Sequence, residues 1–169
     1  MFAEYLLIAT PLLPLLLALM LPLLRSGHIM ILAPLLALLA ALLIPVNSSV
    51  YLPWLLQGVH WKLDSISQLF LLFSALIWLV TSLYVAYGRD ALTKRAIYRC
   101  LFMLAMAGNM LLIVAADMIS FYLGFAMMGL SAYGILLRPS QRARRAARIY
   151  LGFTLVGELA LFIAMLILF

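Results

Sequence analysis

Charge is what this 169-residue sequence has least of. Asp, Glu, Lys and Arg make up 9% of it, against about a quarter of a soluble globular domain. So little charge leaves too few polar groups to coat a soluble globule, which excludes that class. Acidic residues are scarcest, with five Asp and Glu against eleven Lys and Arg. Cysteine is nearly missing. The single Cys100 excludes an intrachain disulfide and, in an apolar segment, reads as a small packing residue. Also missing are a Ser–His–carboxylate arrangement, a phosphate-binding glycine loop and any metal-ligand spacing. No catalytic residue, cofactor or metal is therefore expected.

What is present is apolar: 69% of the residues. About 20 helical residues cross a hydrocarbon core of about 30 Å. Six segments qualify, at about 5–24, 28–46, 65–88, 97–116, 118–137 and 149–169. Backbone groups in lipid must pair within their own segment, so these spans are expected to be helices. The leucine-dense runs do not alternate as barrel strands would. The expected fold is an all-α integral membrane bundle of six transmembrane helices, forming one transmembrane domain over residues 1–169. The opening "MFAEY" has Glu4 and no basic residue, so the first span reads as a retained helix and not a secretory signal. Pro11, Pro14 and Pro22 punctuate the first span, and Pro34 is expected to interrupt the second, most simply as static kinks.

The basic residues are ordered. Arg25, Arg89, Lys94, Arg95, Arg99, Arg138, Arg142, Arg144, Arg145 and Arg148 all fall between alternate spans, on one side of the membrane. The other side has only Lys62. The positive-inside rule then places both termini outside, in the inner membrane of a Gram-negative cell or the plasma membrane generally. The run "RPSQRARRAAR" reads as a topology signal that also touches anionic lipid, in preference to a nucleic-acid patch. The outside connection "NSSVYLPWLLQGVHWKLD" carries Tyr51, Trp54 and Trp61, which suit the membrane interface. His60, Lys62 and Asp64 read there as a solvated surface, with a proton-collecting mouth as the alternative.

Charge inside the hydrocarbon costs at least about 2.5 kcal/mol, so a carboxyl there is a functional candidate by default. Only Glu158, in "YLGFTLVGELALF", qualifies clearly. It lies about 13 Å into the sixth span at 1.5 Å per residue. Thr154 and Phe162, four residues to either side, share its face, and Thr154 is placed to hydrogen-bond the carboxyl. Three readings of Glu158 stay open: a proton or cation relay, a protonated group bonded to a neighbouring helix, and an ion pair with another subunit. Asn109, deep in "MAGNMLL", reads as a helix-to-helix hydrogen bond, with a place on a proton or cation pathway as the alternative. Asp117 is expected to cap the fifth helix. The ten methionines read as core filler.

Several stretches carry a family likeness. They are "LPWLLQGVHWKLDSISQLFLLFSAL", "YVAYGRD", "LFMLAMAGNMLLIVAADMISFYLGFAMMGLSAYGILL" and "ARRAARIYLGFTLVGELALFIAMLILF". In order, spacing and topology they resemble the antiporter-like, proton-conducting membrane subunits of respiratory complex I, membrane-bound hydrogenases and multisubunit sodium/proton antiporters. The resemblance covers the first six helices of that family's longer bundle. It implies that the fifth-helix glutamate of a proton-carrying pair would stand at Ala126, after Tyr122, Leu123, Gly124 and Phe125. Alanine cannot titrate, so that site is degenerate here. Glu158 falls where some members carry a sixth-helix acid; if it conducts ions at a subunit interface, Ser131, Tyr133 and Thr154 would hold water beside it.

Together these readings point to a small antiporter-like subunit of a multisubunit ion-translocating complex. Its role is expected to be structural, or to complete a split subunit. The expected partners are a full-length antiporter-like subunit, or a chain supplying the missing helices, and lipid, with no nucleic acid. Two alternatives stand beside it: ion conduction at a subunit interface through Glu158, and an unrelated small transporter or membrane anchor.

Overall fold

The computed structural model describes residues 2–22, 27–55, 58–88, 95–137 and 140–168. The basic residues Arg25, Arg89, Lys94 and Arg138 lie outside the described residues. The elements, in chain order, are α1 (Phe2–Met20), α2 (Leu32–Leu43), β1 (Ser48–Leu52), β2 (Val59–Leu63), α3 (Ser65–Tyr87), α4 (Ala96–Val114), α5 (Met118–Leu136) and α6 (Gln141–Leu168).

Five of the helices, α1 and α3 to α6, are long and apolar enough to cross a membrane. The second expected span falls short of that. It begins as a 3-10 turn over His28–Ile31 and continues as a twelve-residue helix, about 18 Å of helix against a core of about 30 Å. Proline explains its length. Pro34 is the third residue of α2; lacking an N–H it cannot donate back to the preceding turn, and the run changes from 3-10 to α just before it. Pro45 then ends it, because the residue before a proline avoids the helical region; Ile44 is extended, with ψ 128°. Gln68 of α3 covers the exposed end, its Nε2 donating to the carbonyls of Ala41 (2.8 Å) and Ile44 (3.1 Å). In α1, Pro11 and Pro14 are buried within the helix, and the helix ends just before Pro22.

The connection after α2 is a β-hairpin, which the sequence reading treats only as an interfacial loop. β1 and β2 pair antiparallel from Ser48↔Leu63 to Leu52↔Val59. Along β2, Val59, Trp61 and Leu63 are buried while His60 and Lys62 are exposed, the period of two that a half-buried strand requires. Asn47 enters the hairpin at φ 65° and Gly58 re-enters it at φ 99°. At Gly58 a Cβ would also run into the Tyr51 ring, so both backbone and space demand glycine.

The core lies where α1, α2, α3 and α4 meet. α4 is its centre, with Met103, Met106, Met110 and Val114 fully buried. α2 lays Ala33, Ala37, Ala40 and Ala41 against the core, a small-residue face that allows close helix approach. α5 packs on α4, and α6 packs on α5. α6 is the most exposed helix: of its described side chains only Ala147 and Glu158 are buried.

The two ends of the bundle differ in charge. His28 contacts Tyr87, with ring centroids 4.9 Å apart, and the Arg99 guanidinium lies against Gly27. The end of α5 shares a surface cleft with Arg95 and Tyr98, and α6 begins beside it. The described arginines therefore gather at one end, and Lys62 sits in the hairpin at the other.

Candidate functional site

Asp117 builds the hairpin end of the site. Its Oδ1 accepts from the Ser120 N–H at 2.7 Å, which caps α5 as the sequence reading expects. Its Oδ2 accepts from the His60 N–H at 2.9 Å. The Ala116 N–H donates to the His60 carbonyl at 2.9 Å, and Trp61 bridges to Ala115. β2 is thus stitched to the short turn joining α4 and α5. Trp61 completes the seam by donating from Nε1 to Ser120 Oγ at 3.0 Å. Trp61 is buried, at 3% exposure, so it is an internal anchor and not part of an interfacial belt. Tyr51 and Trp54 are exposed, as the belt reading requires.

Asp64 performs the same task at α3, where its Oδ1 accepts from the Ser67 N–H at 2.7 Å. That hydrogen bond, reinforced by the Ser67 hydroxyl and Lys62, holds its carboxyl below the usual 3.8. His60 and Lys62 point outward as a solvated surface.

Below this seam α4 and α5 meet through glycine. A Cβ on Gly108 would stand 2.7 Å from the Gly124 carbonyl oxygen, and one on Gly124 would stand 2.9 Å from the Gly108 carbonyl oxygen. The two backbones are in direct contact, which only paired glycines permit. Asn109 sits beside this crossing. Its Oδ1 accepts from Trp78 Nε1 at 3.0 Å, and its Nδ2 lies 3.8 Å from Met128 Sδ. Asn109 therefore ties α3, α4 and α5 together, the structural role favoured for it in the sequence.

The opposite face of α5 meets α6. Thr154, Glu158 and Phe162 form one stripe along α6 and all three contact α5. The Tyr122 and Phe162 rings pack with centroids 5.9 Å apart. A Cβ built on Gly129 would lie 2.7 Å from Thr154 Cγ2 and 3.3 Å from Glu158 Oε1. The glycine thus makes the room that the carboxyl fills. Glu158 is 8% exposed, and its Oε1 accepts no hydrogen bond, neither from Thr154 nor from any other described group. No described residue forms an ion pair with it.

The sequence candidates therefore fall into two groups. Thr154 and Glu158 on α6 meet the α5 face that carries Gly129, with Ala126 one turn before it and Tyr133 one turn after. Ser131 lies two turns along from Gly124, on the α4 side of the same helix. It is buried with its hydroxyl unpartnered. Asn109 belongs with that second group. The Trp61–Ser120 and Trp78–Asn109 bonds and the buried, unpartnered Ser82 hydroxyl are not apparent from the sequence. A tryptophan inside an apolar run carries an N–H that needs an acceptor, and that was the available signal.

Among the described residues no group of three or more His, Cys, Asp or Glu is placed to hold a metal ion. Comparison with protein-family models finds none that matches the chain. Comparison with curated proteins finds no match either.

Proposed function

We propose that this chain is a small antiporter-like subunit of a multisubunit ion-translocating membrane complex. In this reading it is mainly a packing and assembly element, with both termini outside and its basic end towards the cytoplasm. The single observation that carries the reading is the solitary carboxyl between α5 and α6. Proton transfer between paired sites needs two titratable groups whose charges act on each other. Glu158 meets Gly129 and Thr154, with Ala126 a turn away, and no described residue pairs with it. Such a site has one half of a relay. The apolar faces left open on α3 and α6, such as Phe70 and Ile77 on the one and Ile163 and Ile167 on the other, suit lateral contact with other spans.

The test is purification of the tagged chain from its native membrane in mild detergent. It should elute with other integral membrane subunits, well above its own 18.8 kDa. A stable monomer or homodimer that moves ions by itself would overturn the proposal.

A second reading draws on the same carboxyl. Glu158 keeps 8% of its surface exposed on the outermost helix, and in this reading it is the chain's contribution to conduction at a subunit interface. Glu158→Gln in the assembled complex separates the two. Ion pumping within about twofold of the parent supports the packing role, and its abolition supports conduction at the interface.

A further inference from the structure

One strongly charged surface plays no part in the α5–α6 contact. Arg142, Arg144, Arg145 and Arg148, with Gln141 and Ile149, line an open cleft of ≈ 600 Å³ at the start of α6. The four arginines are exposed, and no described carboxylate pairs with any of them. At 3.6 residues per turn the cleft-lining residues fall within an arc of roughly 160°. Ala147, on the other side, is fully buried against the bundle.

The same face changes character as the helix continues. Ile149 and Val156 lie beneath the arginines along that arc, with Phe153 about 20° past its edge; they are 54%, 66% and 76% exposed. Between them is Gly152, where an added Cβ would have no heavy atom within 4 Å. A cluster of guanidiniums therefore opens directly onto an uncovered apolar strip with a notch in it. Guanidinium groups bind phosphate oxygens in pairs. A nucleic acid or a free phosphate would satisfy the arginines and leave the strip bare. A molecule with a phosphate head and a hydrocarbon tail satisfies both.

We propose that this face of α6 is a binding site for an anionic phospholipid. Arg142, Arg145 and Arg148 hold the headgroup phosphate, and the strip from Ile149 through Gly152 and Phe153 to Val156 takes an acyl chain. The site is independent of the role given to Glu158.

The test uses the full chain in detergent, titrated with phosphatidylglycerol or phosphatidylcholine and read by native mass spectrometry. Phosphatidylglycerol should be retained and phosphatidylcholine not. Replacing Arg142, Arg145 and Arg148 together by Gln should weaken phosphatidylglycerol retention by roughly a hundredfold, from about 1 kcal/mol per basic residue. Lys62→Gln, at the other end of the bundle, should leave it unchanged. Gly152→Leu keeps every charge and fills the notch, so it too should weaken retention. The proposal is overturned if the triple variant binds as the parent does, or if Lys62→Gln weakens binding equally. Equal binding of glycerol 3-phosphate, or of a short single-stranded oligonucleotide, would also overturn it, because neither has an acyl chain.

Discussion

A Cβ added at Gly124 would stand 2.9 Å from both the Gly108 carbonyl oxygen and the Leu112 amide nitrogen. Both obstacles are backbone and cannot turn aside. Gly124→Val should therefore push α4 and α5 apart and lower stability by about 1–3 kcal/mol, as overpacking does. Gly152 is the control, because it faces open space. Gly152→Ala should leave stability unchanged or raise it by up to about 1 kcal/mol, from helix propensity alone. Thermal unfolding of both variants in one detergent checks the contrast, and an equal loss at the two positions would refute the glycine crossing. The sequence shows that both residues are glycines in apolar runs. It does not show which one faces a backbone, because that depends on where two helices cross. Asn109 and Asp117 were more legible, since a mid-span amide needs a partner and an aspartate before a helix has a nearby N–H to accept from.

Elements of this bundle are held at their ends by carboxylates. Asp117→Ala removes the α5 cap at a cost of about 1 kcal/mol and also frees the His60 N–H from β2. Hydrogen exchange should quicken at His60 and Ser120 together, while Asp117→Asn should keep most of the protection. Quickening at Ser120 alone would mean that the hairpin does not depend on this turn. Asp64 adds a pH dependence of defined sign. Its carboxyl is held below 3.8 in the folded chain by the Ser67 N–H, so its stabilising effect is present above that value. The effect is lost as pH falls through the lower, folded value. Exchange at Ser67 should accelerate over that acidic window in the parent and show no such step in Asp64→Asn. The hairpin itself was half legible. Val59 to Leu63 alternates apolar and polar, yet its tryptophan and histidine also fit a membrane-interface loop, and only the pairing with Ser48–Leu52 decides between them.

At the scale of the whole molecule, composition was sufficient for a mostly helical chain and for five helices long and apolar enough to cross a membrane. An apolar run of spanning length has few choices, because its backbone must bond to itself wherever water is excluded. The gathering of the described arginines at one end was also legible, since it depends only on which connections carry arginine. The length of α2 was less so: Pro34 and Pro45 act through the positions they take in a helix, and a hydropathy count does not see those positions. Glu158 stood out as the one deep carboxyl from its surroundings in the chain. Its setting against Gly129 and Thr154, apart from Ser131 on the far face of α5 and Asn109 on α4, came only from packing. Local chemistry acts between residues near in sequence and can be read along the chain. The site is made by side chains from two helices, and their meeting depends on how the whole bundle fills its space.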